Sequence, residues 1–176
     1  MEKELFIKTA LCECVEIVLE NVMAEQVLLG AIMELQTADV QDLRQESVKG
    51  VVEDLHLLQE KLTELNGLAA ELRKAAAEED AIGLDETDSS LLEVIDAVVG
   101  INNGSEGHSV LGDAVGLFEA TSVEQLCTAQ ARATVSDLAH LCSAFVRLRA
   151  EFSSYFDVAS FDTGDVASDH DKYRLR

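Results

Sequence analysis

The chain contains no proline and no tryptophan. Proline fixes φ and removes an amide donor, so it gathers in loops, turns and edge strands. A chain of 176 residues without one is poorly suited to a loop-rich or all-β fold and well suited to long helices. Aromatic residues are also few, at 5%. Basic residues are scarcer than acidic ones: 13 Lys and Arg stand against 34 Asp and Glu, a formal net charge of −21. Phosphate recognition depends on Lys and Arg that displace counterions, and anionic membrane surfaces attract the same residues. Neither nucleic acid nor membrane is therefore expected as a partner. Long apolar runs are missing too, because Glu13, Glu16, Glu20, Glu25 and Glu34 interrupt the stretch from Leu5 to Leu35, and each would be costly in a bilayer. The start, Met1-Glu2-Lys3-Glu4, lacks the basic region of a targeting peptide.

The cysteines number four, Cys12, Cys14, Cys127 and Cys142, and none forms a C-x-x-C. That spacing fits neither a disulfide framework nor a zinc site. Reduced, packed thiols in a cytoplasmic protein are the expectation, with Cys127 on a buried seam and Cys142 flanking it.

Hydrophobic periodicity supplies the positive information. The first helix is expected from Glu2 to Gln36, with Leu5, Cys12, Leu19 and Met33 on its seam together with Val15, Val22 and Leu29. A break at Thr37–Asp39 precedes a second helix reaching Asp80. Its apolar positions Val48, Val51, Leu55, Leu58, Leu62, Leu65, Ala69, Leu72 and Ala76 alternate spacings of 3 and 4, the heptad signature of a coiled-coil seam. Ser90-x-x-Glu93 resembles a capping box opening a short helix from Leu91 to Val99, and Ser109–Glu119 is a second short helix after the glycine-rich turn 100–107. Thr121-x-x-Glu124 opens the last long helix, to Val158, with the seam Cys127, Ala131, Thr134, Leu138, Leu141, Phe145, Leu148, Phe152 and Tyr155. The expected fold is all-α, an elongated antiparallel helical bundle or coiled coil of three long helices and two short ones. Residues 1–159 form its single domain. Residues 160–176, acidic and then basic (Lys172-Tyr-Arg-Leu-Arg176), form a tail expected to be disordered.

Chemistry-bearing patterns are weak. Glu53-x-x-His56 and Asp137-x-x-His140 have the i, i+3 spacing of bundle metal ligands. The heptad phase places Glu53, His56 and His140 off the a and d positions and Asp137 at the g edge, so no metal or other cofactor is expected. His140 and Cys142 diverge on one helix, which leaves no Cys–His nucleophile. Gly107-x-x-x-x-Gly112 is followed by Asp113-Ala114 instead of the Lys and Ser or Thr that a phosphate loop needs, and Asn102–Asp113 lacks the terminal Glu of a calcium loop.

The function expected is non-enzymatic. The chain is read as a helical subunit or adaptor of a cytoplasmic multiprotein assembly, binding other protein subunits or a second copy of itself. Its contacts are expected along the seams at Leu55, Leu58, Leu62, Leu65, Leu138, Leu141, Phe145, Leu148 and Phe152. The alternative is a small acidic chaperone or regulator that masks a basic or helical client. Residues 81–121 carry eight acidic side chains and no Lys or Arg, and Asp85, Glu86 and Asp88 are the expected docking patch.

Overall fold

A computed structural model describes residues 2–37, 46–79, 81–104, 108–119 and 123–163, without the side chains of 37, 46–48, 123 and 156–163. The described residues are all-α and contain no strand. The elements are α1 (Glu2–Glu16), a π-helical turn (Ile17–Asn21), α2 (Ala24–Thr37), α3 (Glu46–Ala76), α4 (Glu86–Asn103), α5 (Val110–Phe118), α6 (Val123–Leu126) and α7 (Ala129–Thr163). Among them, no helix is long and apolar enough to cross a membrane.

The expected first helix is broken. Val22 N–H donates to the Ile17 carbonyl at 2.9 Å, a wide π-type turn, and Met23 then adopts φ 58°, uncommon for a residue with a side chain. The reason lies in where the apolar faces point. Ile7, Leu11, Cys14 and Val18 are buried before the break, and Ala24, Leu28, Ala31 and Leu35 after it. On one uninterrupted helix at 3.6 residues per turn those two sets would face roughly a third of a turn apart. The break turns both toward the core and leaves Leu5, Leu29 and Met33, expected on the seam, exposed. Arg149 of α7 holds the break from outside. Its guanidinium donates to Glu25 Oε1 (2.7 Å), Glu20 Oε1 (2.7 Å) and the Leu19 carbonyl (3.0 Å).

Two other boundaries differ from expectation. Helix α4 opens five residues earlier than Leu91, because Asp85 and Asp88 form the capping box. Asp85 Oδ1 accepts from Asp88 N–H at 2.7 Å, and Asp88 Oδ2 accepts from Asp85 N–H at 3.3 Å. Ser90 and Glu93 lie inside a helix of 18 residues that is already under way. The last helix is also interrupted: after α6 the chain turns at Cys127–Thr128, and Thr128 Oγ1 accepts from Ala131 N–H at 3.0 Å. Thr121, the expected cap, lies outside the described residues, as do Thr37's side chain, Asp39, Asp80 and positions 164–176. Helix α5 fits its expected bounds, with Ser109 Oγ accepting from Gly112 N–H at 2.9 Å.

The helices close on one hydrophobic core. Helix α7 packs on α4, α2 and α5, while α3 packs on α1, α2, α4 and α5. Buried Asn102 ties three of them together: it donates to Gln59 Oε1 of α3 at 3.0 Å and accepts from Leu111 N–H of α5 at 3.2 Å.

Candidate functional site

The leucine rows expected to contact partners are inside the chain's own core. Leu55, Leu58, Leu62 and Leu65 of α3, and Leu138, Leu141, Phe145 and Leu148 of α7, are all fully buried; Phe152 is half-buried against the same cluster. Their location as an outward interface is thereby corrected. A heptad seam specifies only that another helix covers it, and here α1, α2, α4 and α5 do so.

The expected acidic patch divides in two. Asp85 and Glu86 are exposed, whereas Asp88 is 5% exposed and belongs to a polar cluster joining α1, α4 and α7. Its Oδ2 meets Lys8 Nζ at 2.9 Å, and its Oδ1 accepts from Tyr155 Oη–H at 2.9 Å. Burial works against the Asp88 carboxylate, but the hydrogen bonds from Lys8 and Tyr155 turn the net shift downward. Burial likewise opposes the Lys8 ammonium, and the adjoining Asp88 raises its pKa nonetheless. The Tyr155 phenol moves up, from burial first and then from Cys12 and Asp88. Asp88 is thus a packing residue and leaves the docking patch.

Three large apolar side chains near the start of α1 and in the 81–85 connection are the most exposed of their kind among the described residues. Phe6 is 75% exposed, Ile82 73% and Leu5 66%. Two contacts bring the 81–85 connection and the residues after α3 to the start of α1. Glu4, itself 3% exposed, accepts from Ile82 N–H through Oε2 at 3.2 Å, which fixes the 81–85 connection against the start of α1. Lys3 Nζ meets Glu78 Oε1 at 3.0 Å and fixes the end of α3 there too. Glu2, Glu79, Asp85 and Glu86, near these residues in sequence, are all exposed. Lys3 and Lys8 have carboxylate partners in Glu78 and Asp88. The exposure of Asp85 and Glu86 was legible in sequence; that of Leu5 and Ile82 was not, because Leu5 fits a heptad phase and Ile82 lies in a polar connection.

No protein-family model, curated protein or solved structure matches this chain. Its function therefore rests on its own side chains.

The remaining candidates are scattered. Glu53, His56, Asp137 and His140 are exposed, and no group of three or more His, Cys, Asp or Glu able to hold a metal occurs among the described residues. Asp137 and His140 line one open groove of about 590 Å³ with Gly100, Gly104, Ser143 and Arg147, and His56 is not part of it. The expected environments of two cysteines are exchanged: Cys127 is exposed, because the helix breaks there, and Cys142 is buried. Burial pushes the Cys12 and Cys14 thiols from 9.0 up to about 11, which makes them poor nucleophiles. Cys127 sits at the rim of a second groove, about 570 Å³, between α2 and α7 with walls that include Ile32, Leu35, Leu117 and Val135.

Proposed function

We propose that the chain is a non-enzymatic interaction protein, a helical subunit or adaptor of a multiprotein assembly, that docks a basic amphipathic segment of a partner on the Leu5, Phe6 and Ile82 surface. One observation carries this reading. The apolar seams are used up in the core, whereas Leu5 and Phe6 near the start of α1 and Ile82 in the connection tied to it stay exposed, as do Glu2, Glu79, Asp85 and Glu86 near them in sequence. Contiguous exposed apolar surface with a polar rim is the usual mark of a protein contact. The antiparallel bundle arrangement belongs to the same proposal. It is supported by the opposed course of α7 and the first two helices, with Arg149 beside Glu20 and Tyr155 nearer the start of α1.

The reading joins the adaptor and acidic-regulator expectations, with Asp85 and Glu86 as part of the rim and Asp88 removed from it. Fluorescence anisotropy of a labelled amphipathic helix built from Leu and Lys tests it. Phe6→Glu and Ile82→Glu should abolish binding. Asp85→Asn with Glu86→Gln should weaken it severalfold and reduce its salt dependence, since Asn preserves the helix cap. Leu29→Glu should leave it unchanged. Equal loss at Leu29 and Phe6 would refute the placement, and failure of every such helix to bind would refute the function.

A further inference from the structure

The joint between α1 and α2 is held in a shape that its own sequence does not favour. Met23 takes φ 58°, and the other positive φ angles of the described residues belong to Gly83 and Gly104, where the missing Cβ removes the penalty. No glycine or proline lies between Glu16 and Leu29, and the pattern of residues 2–36 reads as one helix. In a continuous helix the Leu19 carbonyl would accept the amide of residue 23. In the bent form it accepts from Arg149 Nη2 at 3.0 Å, and the same guanidinium pairs with Glu20 and Glu25 at 2.7 Å each. On a straight helix positions 20 and 25 face about 140° apart, so it is the bend that brings both carboxylates to one guanidinium. We infer that Arg149 is a latch on a strained joint: when it lets go, residues 2–37 straighten and α1 changes places with the α1 of a second copy of the chain.

The two halves of this segment serve different walls of the core. Helix α1 packs chiefly on α3, whereas α2 packs chiefly on α7. Straightening keeps α2 on α7, where Cys142 Sγ meets the Glu25 carbonyl at 3.8 Å, and carries α1 away from α3. What fits the vacated wall is α1 itself, supplied by a second copy. The Lys8–Asp88 pair (2.9 Å), the bond from Ile82 N–H to Glu4 (3.2 Å) and the contact of Cys14 Sγ with the Lys61 carbonyl (3.7 Å) then re-form between chains. Exchange of an identical element replaces each contact with its equal, and a strained hinge favours it because the strain is relieved while the contacts are kept. The buried faces of α1 and α2 lie roughly a third of a turn apart on a straight helix. One core cannot receive both, but two bodies can.

Arg149→Met keeps the apolar stem and removes the donors. Light scattering should find this variant dimeric at concentrations where the native chain is monomeric. Two chains lose the latch for every dimer formed, so half-dimerisation should move to a concentration roughly tenfold lower or more. Glu20→Gln with Glu25→Gln weakens the latch from its other side and should act in the same direction, so the test survives poor folding of Arg149→Met. Met23→Gly removes the φ penalty of the bend and should return Arg149→Met to the monomer. Exchange is distinguished from side-by-side pairing by refolding isotope-labelled and unlabelled Arg149→Met chains together and treating them with a carbodiimide. Zero-length coupling joins Lys3 to Glu78, whose charged atoms lie 3.0 Å apart, and mass spectrometry should find labelled peptides joined to unlabelled ones. A dimer whose Lys3–Glu78 links stay within like-labelled chains would overturn the inference. So would Arg149→Met and Glu20→Gln, Glu25→Gln chains that both remain monomeric at every concentration. Neither result touches the docking surface proposed above.

Discussion

Replacing Asp88 by Ala perturbs the connection between three helices at one point. The side chain is 5% exposed and makes an ion pair with Lys8 at 2.9 Å, a hydrogen bond from Tyr155 at 2.9 Å and the return bond of the α4 capping box at 3.3 Å. Removing one partner of a buried pair costs about 3–5 kcal/mol. Lys8 keeps 24% of its side chain in water, so it recovers part of its solvation, and the lower end applies. The Tyr155 hydroxyl then lacks its acceptor, at about 1 kcal/mol. A total of roughly 3–4 kcal/mol corresponds to a fall in Tm of roughly 10 °C for a chain of this length. Urea unfolding followed by circular dichroism measures it, and Asp88→Asn, which retains an acceptor for Tyr155, should lose less. A double-mutant cycle with Tyr155→Phe should give a coupling of about 1 kcal/mol. A loss below about 1 kcal/mol for Asp88→Ala, outside the range for a buried pair, would refute the network as a structural joint.

Three further outcomes are expected. Asp85→Ala should destabilise the chain by about 1 kcal/mol as a lost N-cap, whereas Ser90→Ala should be nearly neutral; urea midpoints of the two variants decide between the capping boxes. The folded Asp88 has a depressed pKa, so its contribution is present above its unfolded value near 3.9 and is lost as pH falls through the folded value. Cys12 and Cys14 are raised from 9.0 to about 11, so their contribution holds below 9 and is lost as pH rises toward 11. Stability plotted against pH should thus fall on both sides of a neutral plateau, and Cys12→Ala with Cys14→Ala should flatten the alkaline fall. Under native conditions an aromatic disulfide reagent should find one fast thiol, and Cys127→Ser should remove it; rapid reaction of Cys14 or Cys142 would contradict their burial.

Helical class and most of the α3 and α7 seams follow from the 3 and 4 spacing, since the row Leu55–Leu72 has no other face to bury. What that spacing leaves open is which helix does the covering, so Leu58 and Leu141 look the same in sequence whether they face their own chain or another. The break after Glu16 has no glycine or proline to announce it. It arises because the faces around Leu11 and Leu28 must both meet one core, a tertiary demand absent from any local window. Asp88 illustrates the same limit: an acidic residue in an acidic segment reads as solvated, and only the folded arrangement brings Lys8 from 80 positions away to neutralise it. The contact that brings the 81–85 connection to the start of α1, the Ile82 amide on the Glu4 carboxylate, is likewise invisible in sequence.

The division between an inward seam and an outward patch is tested most directly by comparing the urea unfolding of Leu58→Glu with that of Phe6→Glu. Leu58 is fully buried and Phe6 is 75% exposed. A charge at position 58 should cost about 4 kcal/mol or more, while the same charge at position 6 should leave the unfolding midpoint within about 0.5 kcal/mol of the native chain. A folded, stable Leu58→Glu protein, or a Phe6→Glu protein that unfolds, would contradict the account.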